Sequence, residues 1–459
     1  MSISTELRNA LSYPKELARN YFAQRVVYPW ELPAIMRKHI YTGAMGSLYY
    51  TLMGGIFFIY FGNAIGITRP MWGVMSGLSQ FMLASQLLSA FMTERLGRRK
   101  VLWFTSALLG RSLRVAGILV ALWLWRAGQP DAALFMVTMV VASNFFDALA
   151  EPPWLSWLGD IIPEEQHGRF WGRRAAWIAF ATVCVIVPAG LAMDFVPEGW
   201  RMTVTICVFI LAGVLGIVDL FIHGTLPEPA LALPEQSRAI KRFMEPLADT
   251  EFRPWLLFTL VWSFSMSLGG SLGWLYFFDE LGIKNNFLGG TLVMIALPLV
   301  GNILTGKWSG KLVDIAGISG VLFWGHIVWA TLPLYWLVAT PATALIFLGF
   351  SSVVGGMGST AATNAANKLV TRLPAPENRA MYAAVSRCAG NFAGGLGAFA
   401  AGATLALLGG WHTSVFGWTV AAFPILFVIS LVLRLSSAIV FIRRIGEPRL
   451  NSSNGLAAA

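Results

Sequence analysis

Charged and amide side chains stand inside otherwise apolar stretches of this 459-residue chain. Asn144, Asp147 and Glu151 follow one another at intervals of three and four residues, so a helix would carry all three on one face. The preceding apolar stretch holds Arg111 and Arg114, which also share a helical face. A buried carboxylate changes its proton affinity when a neighbouring cation moves away. The five residues therefore indicate either a proton- or substrate-linked switch or a static ion network that stabilises helix packing.

The elements that must hold these residues are membrane-spanning helices. The chain is 56% hydrophobic and 12% charged, which is about half the charged fraction of soluble domains. Its apolar runs reach the roughly 20 residues that a spanning α-helix needs, and they lack the alternation of a β-barrel. We predict an all-α membrane protein with twelve transmembrane helices. The predicted spans are 40–64, 72–92, 101–125, 132–158, 175–195, 202–222, 254–278, 286–308, 318–340, 342–367, 383–409 and 414–441.

A proline-rich, charged segment divides these spans into six and six. We therefore predict two six-helix bundles in pseudo-symmetric arrangement. The predicted limits are an N-terminal tail at 1–39, an N-terminal bundle at 40–222, a linker at 223–253, a C-terminal bundle at 254–442 and a C-terminal tail at 443–459.

The distribution of Lys and Arg predicts the orientation in the membrane. With the N-terminus inside, about 25 of the 33 basic residues fall in inner segments and about 4 in outer loops. Because basic loops stay in the cytoplasm, we expect both termini to be cytoplasmic, in a bacterial inner (plasma) membrane. The same distribution accounts for the net charge of +10. The expected partner is therefore the lipid bilayer, and no nucleic acid.

Depth along adjacent antiparallel helices predicts which charged groups meet. Arg111 and Asp147 each lie about 11 residues, or ~17 Å, from the cytoplasmic ends of their spans. We expect Arg111 to meet Asp147 near the middle of the membrane, and Arg114 to lie level with Asn144.

Glu151 lies closer to the cytoplasm, directly before Pro152 and Pro153. The two prolines predict a break or a kink of the helix. Glu151 is then either accessible in only one conformation or a partner for loop arginines.

Two further polar residues in spans are given structural roles. Arg434, in the last third of the final span, is expected to snorkel to the cytoplasmic surface. His326 is expected to be a hydrogen-bonded packing residue rather than a proton carrier.

A short basic turn joins the second and third spans. Its notable residues are Ala90, Glu94, Arg95, Gly97, Arg98, Arg99 and Lys100. The turn resembles the loop between the second and third helices of major facilitator superfamily transporters, Gly-x-x-x-Asp-Arg-x-Gly-Arg-Arg-Lys/Arg. Ala90 stands at the first Gly of that pattern and Glu94 at the Asp, while the later residues match.

The same pattern recurs in weaker form 220 positions later, at Gly310, Asp314 and Gly317. Two related six-helix halves are typical of the superfamily. The resemblance implies that Glu94, with Arg98 and more weakly Asp314, helps to hold the cytoplasmic ends of the two bundles together as a gate motif.

In the superfamily that the chain resembles, the first, fourth, seventh and tenth helices line a central cavity. The resemblance assigns these cavity candidates: Tyr49, Tyr60, Asn63, Asn144, Trp262, Trp274, Thr363 and Asn364. Glycines and serines around 267–273 predict a break in the seventh span. The alternative is that these small residues serve tight helix packing.

We expect a secondary active transporter that moves a small polar organic solute, sugar-like or zwitterionic, by alternating access. Protons acting through Asp147 or Glu151 are the expected coupling ion. The alternative is a non-transporting receptor or membrane-complex assembly factor of the same fold. The sequence contains no phosphate-binding loop and no His/Cys ligand cluster. We therefore expect no cofactor, no metal and no enzymatic activity. We also expect a monomer.

Overall fold

Twelve helical segments long and apolar enough to cross a membrane are present in the computed structural model, which describes residues 21–231, 239–374, 379–415 and 418–445. Their bounds are Pro29–Ala64, Arg69–Leu96, Arg99–Arg126, Ala132–Ile161, Glu165–Phe195, Glu198–His223, Arg253–Asp279, Phe287–Gly306, Ile315–Val338, Ala344–Val370, Met381–Leu408 and Ala422–Arg444. The predicted all-α fold with twelve transmembrane helices is confirmed, and the chain is an integral membrane protein.

The chain forms two compact units. Unit 1 comprises Met82–Pro234 and the chain up to Gly66, and unit 2 comprises Ile67–Phe81 and the chain from Glu235 onward. The change of unit at residue 234 falls inside the linker predicted at 223–253. Because part of the second span groups with unit 2, the predicted bundle limits stay a prediction.

The first eight helices are α1 (Leu32–Leu52), α2 (Gly55–Ala64), α3 (Arg69–Met82), α4 (Ser85–Leu96), α5 (Arg99–Arg126), α6 (Ala132–Ile161), α7 (Glu164–Phe195) and α8 (Glu198–His223). All except α3 lie in unit 1.

Unit 2 continues with α9 (Ala239–Ala248), α10 (Arg253–Gly270), α11 (Gly273–Asp279), α12 (Phe287–Thr291), α13 (Leu297–Ala330), α14 (Leu332–Val338), α15 (Ala344–Arg372), α16 (Arg379–Leu408) and α17 (Ala422–Phe441). Single turns of other helix types occur at Pro29–Glu31, Ile283–Asn285, Leu292–Ala296 and Ile442–Arg444. An antiparallel hairpin pairs β1 (His412–Val415) with β2 (Trp418–Ala421).

Helix α6 continues through Pro152 and Pro153 to Ile161, so the break allowed by the sequence is absent. A proline at 153 cannot donate to the carbonyl of Leu149, four residues earlier. The hydroxyl of Ser89 on α4 donates to that carbonyl at 2.5 Å instead. A side chain from a neighbouring helix therefore satisfies the group that the proline leaves free, which is how transmembrane helices tolerate proline.

The two glycines of the repeated turn both have a positive φ. Gly97 ends α4 with φ 61°, and Gly317 interrupts α13 with φ 77°. Side chains other than glycine are strained there, because Cβ would clash with the backbone. The shared positive φ agrees with the internal repeat found in the sequence. The side chain of Asp314 lies outside the described residues, and the exposure of Gly310 is not described either.

The basic turn is anchored within unit 1 by a buried carboxylate of the linker. Glu228 accepts hydrogen bonds from the backbone N–H groups of Arg99, at 2.6 Å, and Lys100, at 3.2 Å. N–H groups in the first turn of a helix have no acceptor within the helix itself. The helix dipole also favours an anion at this end of α5. Arg99 itself is buried, with an ion pair to Asp160 and a hydrogen bond to the carbonyl of Pro229. Arg99 therefore holds the linker against α6.

Glu94 and Arg98 are both exposed, and neither forms an ion pair among the described residues, so the gate role that the resemblance implies stays a prediction. Arg95 is exposed as well. The contacts of the turn are made by its later residues, which begin α5.

The seventh span breaks where glycines and serines predicted it. Helix α10 ends at Gly270 and α11 begins at Gly273. The packing interpretation holds too, because a Cβ on Gly269 would lie 2.6 Å from Oγ of Ser430 on α17. Small residues thus both interrupt this span and bring it close to the last one.

Candidate functional site

Charged and aromatic residues from four helices of unit 1 meet in one place, which we call the unit 1 charge cluster. It consists of Tyr49 and Tyr50 on α1, Arg111 and Arg114 on α5, Ser143, Asn144 and Asp147 on α6, and Asp219 on α8. The predicted network on α5 and α6 is therefore present, with additional members from α1 and α8.

The expected partner of Arg111 was wrong. Nη1 of Arg111 lies 2.7 Å from Oδ2 of Asp219, and it also donates to the carbonyl of Gly216. Both side chains of the ion pair are 7% exposed. Asp219 is reached because α1 has a glycine beside it: a Cβ on Gly46 would lie 2.8 Å from Oδ2 of Asp219. Depth matching between α5 and α6 could not reveal this competitor on α8.

The guanidinium of Arg111 also contacts two aromatic rings. Its Cζ lies 5.1 Å from the ring centroid of Tyr49 and 5.7 Å from that of Tyr50. Tyr49 is fully buried, so it forms part of this packing and not the wall of an open cavity. Cation–π contacts of this kind stabilise a desolvated arginine.

Arg114 lies level with Asn144, as depth matching predicted. Nη2 of Arg114 donates to Oδ1 of Asn144, and Nε donates to Oγ of Ser143 at 3.1 Å. Both partners are neutral. The positive charge of Arg114 is therefore hydrogen-bonded by these two side chains without being neutralised by them.

Asp147 accepts a hydrogen bond at Oδ1 from the hydroxyl of Tyr50, at 3.2 Å, and the side chain of Ser143 is a second hydrogen-bond partner. Its Oδ2 is enclosed, and it has no hydrogen-bond partner in the part of the chain that the structure describes. The carboxylate lies against the backbone of α5, where a Cβ on Gly110 would be 2.6 Å from Oδ1. An enclosed carboxylate oxygen without a donor carries an unmet hydrogen-bonding requirement.

Glu151 is in a different environment from Asp147. Its side chain is exposed, and Oε2 accepts a hydrogen bond from Nε2 of Gln86 at 2.7 Å. Of the two interpretations, contact with loop arginines has no support among residues 21–231, where the hydrogen-bond partner of Glu151 is the amide of Gln86.

A buried pair of histidines in unit 1 was missed in the sequence analysis. The ring centroids of His39 and His223 are 4.7 Å apart, and Thr42 Oγ1 lies 2.9 Å from Nδ1 of His223. Both ring nitrogens of His39 are enclosed without a partner among the described residues. The two histidines lie at opposite ends of the unit 1 sequence, so their spacing carries no signal.

Unit 2 contains a cavity of about 240 Å³. Its wall combines the indoles of Trp274, Trp329 and Trp336 with the polar side chains of Asn302, Ser351, Ser352 and Ser359. Trp274 lines this cavity of unit 2, while its predicted place in the central cavity stays a prediction. Indole faces beside hydroxyl and amide groups suit a small solute with both apolar and hydrogen-bonding surfaces.

The other predicted cavity residues of unit 2 lie elsewhere. Trp262 is buried in the core, with its ring centroid 4.6 Å from that of His326. Nδ1 of His326 donates to the carbonyl of Leu322 at 2.7 Å, as expected for a packing residue. Asn364 donates to Oγ of Ser309 at 2.6 Å, and Thr363 is exposed.

Tyr60 and Asn63 lie on α2 and are half-buried. They are not members of the unit 1 charge cluster. In the described ranges, no group of three His, Cys, Asp or Glu side chains could hold a metal ion.

Comparison with known proteins identifies the family of this chain. The family model of the Major Facilitator Superfamily matches residues 41–398. No curated protein matches the chain by sequence.

Solved transporters share the fold at low sequence identity. The nucleoside transporter NupG is 11% identical with a TM-score of 0.63, covering 90% of this chain and 98% of that one. The D-xylose-proton symporter is 12% identical with a TM-score of 0.65, covering 90% and 98%. A bacterial homolog of the human lysosomal transporter Spinster is 15% identical with a TM-score of 0.58, covering 92% and 95%.

Proposed function

Because the chain belongs to the major facilitator superfamily, we propose that it is a secondary active transporter that couples the movement of a small polar organic solute to protons. In this proposal the cycle is alternating access, and Asp147 is the proton-coupling residue. Asp147 is preferred over Glu151, which is exposed and bound to Gln86.

The observation that carries the proposal is the environment of Asp147. This carboxylate has an enclosed, unpartnered oxygen and lies inside a transmembrane span. It belongs to the unit 1 charge cluster, which also contains two arginines. Ionisable groups are rare at such depth, because lipid and protein interior both disfavour a charge. Those that are present in transporters commonly carry protons or contact the solute.

The arrangement provides a simple switch in the cluster. With Asp147 protonated, the carboxyl is neutral, and Tyr50 and Ser143 are its hydrogen-bond partners. Once Asp147 loses the proton, the nearby cation of Arg114 becomes its natural partner, because Ser143 and Asn144 supply no negative charge. Movement of Arg114 between these partners would link protonation to a shift of α5 against α6.

The ion pair between Arg111 and Asp219 acts as the fixed part of the same cluster. Its charges neutralise each other, and Tyr49 covers the guanidinium. It therefore supports the static-network interpretation for these two residues, while Asp147 and Arg114 supply the titrating part.

The solute class rests on the unit 2 cavity. Three indoles with one amide and three hydroxyls suit a compact polar organic molecule, either sugar-like or zwitterionic. Two fold neighbours, a nucleoside transporter and a D-xylose-proton symporter, are compatible with this class. We also propose a monomer in the bacterial inner membrane with both termini cytoplasmic, on the charge distribution of the loops.

The test is proton movement in proteoliposomes during a screen of sugars, nucleosides and amino acids. We expect one solute class to elicit a proton flux in the wild type and in Glu151→Gln, and no proton flux in Asp147→Asn. The exposed Glu151 is the matched control, because it is a carboxylate one turn away on the same helix.

Two outcomes would contradict the proposal. Solute uptake without proton flux would reduce Asp147 to a structural or solute-binding residue. Absence of any flux, together with a stable protein partner recovered from the native membrane, would favour the receptor or assembly-factor alternative.

A further inference from the structure

Arg434 on α17 is a buried cation without a counter-charge. Its side chain has 0% exposure, so the expected snorkelling to the cytoplasmic surface was wrong. Nη2 makes a long hydrogen bond to the carbonyl of Met266, at 3.4 Å. Nε and Nη1 are enclosed and have no partner among the described residues. At least two donors of this guanidinium are therefore available.

The surroundings of Arg434 are neutral. No carboxylate of the described ranges forms an ion pair with it. Its Cζ lies 5.8 Å from the ring centroid of Trp336. The neighbouring hydroxyl of Ser430 is already used, because it donates to the carbonyl of Ser265 at 2.6 Å. The immediate neighbours thus leave the positive charge uncompensated.

An uncompensated guanidinium is unfavourable in this position. Arginine stays protonated under all relevant conditions, so it cannot become neutral as a buried lysine can. Burial of a single charge without an opposite charge carries a large desolvation penalty. The guanidinium fork matches two oxygens of a carboxylate, and this geometry gives its strongest hydrogen bonds.

A second free donor lies at the break between α10 and α11. Ser271 directly follows Gly270, whose ideal Cβ position is 4.0 Å from Nη2 of Arg434. Oγ of Ser271 is enclosed and has no partner in the described part of the chain. The broken span therefore has an unused hydroxyl at the residue that follows the glycine beside the guanidinium.

Trp336 connects this place to the unit 2 cavity. The indole contacts Arg434 by its ring and also belongs to the cavity wall. Its Nε1 donates to Oγ of Ser351 at 3.3 Å, a long bond that a rotation of the indole would break. Trp274, just beyond the break, lines the same cavity. A molecule in the cavity is thus separated from Arg434 by one indole.

We propose that Arg434, assisted by Ser271, binds a small anion, supplied either as the carboxylate of the transported solute or as a free inorganic anion. In the first case the body of the solute occupies the cavity and the solute is a carboxylate-bearing molecule. That first case rests on the proposed transport function, whereas the anion site itself does not.

The test is an anion titration of the purified full-length protein in detergent, followed by tryptophan fluorescence. The probes are sodium acetate, sodium chloride and acetamide, the last being the uncharged analogue of acetate. The variants are Arg434→Gln, Arg434→Lys and the matched control Arg387→Gln. Arg387 lies in a span of the same unit but is exposed. Trp336→Phe checks that the signal comes from the indole beside Arg434.

We expect a saturable response of the wild type and of Arg387→Gln to an anion, and none to acetamide. Arg434→Gln should lose at least roughly tenfold in anion affinity, because a hydrogen-bonded charge pair is removed. Arg434→Lys should fall between them, since it keeps the charge and loses the planar fork. If Arg434→Gln does not fold, the anion affinity of Arg434→Lys relative to the wild type is the test. A preference for acetate over chloride assigns the solute carboxylate, and equal or stronger binding of chloride assigns a free anion.

The proposal is overturned if the wild type gives no saturable response to acetate or chloride, or if the Arg434 variants respond as the wild type does. The titration needs no gradient, so it separates the two proposals. Solute-driven proton flux without anion binding would remove this inference alone. Anion binding without any flux, together with a stable protein partner recovered from the native membrane, would remove the transport function alone.

Discussion

Arg111 and Asp219 form a buried ion pair in unit 1, with Nη1 and Oδ2 2.7 Å apart and both side chains 7% exposed. The pair joins α5 to α8, and a glycine of α1 leaves room for it. Its members lie 108 positions apart in the chain. This contact is the fixed centre of the charge cluster, so its loss should affect the stability of unit 1.

Removal of one partner of this ion pair should destabilise the protein strongly. Arg111→Met or Asp219→Leu leaves a single buried charge, for which we expect a loss of about 3–5 kcal/mol in the free energy of unfolding. The double variant should recover most of that loss, because no charge remains buried. The measurement is SDS-driven unfolding in detergent micelles.

The control for this prediction is the ion pair of Arg69 with Glu280 in unit 2, which has a similar length of 2.8 Å but is 34% and 46% exposed. Arg69→Met should change the free energy of unfolding by less than about 1 kcal/mol. Equal losses for the buried and the exposed pair would contradict the prediction.

Gly110→Ala should displace the carboxylate of Asp147. The added Cβ would lie 2.6 Å from Oδ1 of Asp147, closer than such contacts allow. We expect a destabilisation of about 1–3 kcal/mol from overpacking, together with loss of solute-driven proton flux in proteoliposomes. Gly159→Ala on α6 is the control, since its Cβ would meet nothing within 4 Å. Normal flux in Gly110→Ala would show that the position of Asp147 is not critical.

Ser89→Ala should destabilise α6 at the proline pair. The carbonyl of Leu149 would lose its donor in a buried place, which costs about 1–3 kcal/mol. Pro153→Ala restores a backbone N–H that can bond the same carbonyl. In the Pro153→Ala background, Ser89→Ala should therefore have a much smaller effect on unfolding. A full loss in that background would mean that the hydroxyl acts elsewhere.

Tyr21 should make the stability of unit 1 depend on alkaline pH. Burial raises the pKa of its phenol from 10.0 to about 12, and its hydroxyl donates to the carbonyl of Phe221 at 2.8 Å. A group whose pKa is higher in the folded state contributes stability below the unfolded pKa and loses it as pH rises through the folded one. The contribution should be complete below about pH 10 and decline towards pH 12.

The measurement for Tyr21 is the unfolding free energy of the wild type minus that of Tyr21→Phe, followed across pH 8 to 12. We expect a difference of about 1 kcal/mol at the lower end, from the lost hydrogen bond, and its decrease at the upper end. Tyr28→Phe, at a nearby half-exposed tyrosine, is the control and should leave the profile unchanged. A flat difference for Tyr21→Phe would contradict the prediction.

Sequence alone determined the features that depend on composition and on regular spacing. Twelve apolar runs predicted the twelve spans, because a bilayer demands the same length of apolar helix everywhere. The basic turn indicated the family, which the family model confirms over residues 41–398. Helical rise was enough to place Arg114 level with Asn144, since both lie on sequential antiparallel helices.

Only the tertiary structure decided which groups meet when their helices are distant in the chain. Asp219 outcompeted Asp147 for Arg111 because α8 packs close to α5 and α1, and hydropathy contains no information on that packing. Ser89 kept α6 continuous at a proline where local rules predict a break or a kink. Arg434 turned inward to a neutral environment instead of the surface. Each of these results depends on the side chain that a neighbouring helix presents, which spacing along one helix cannot specify.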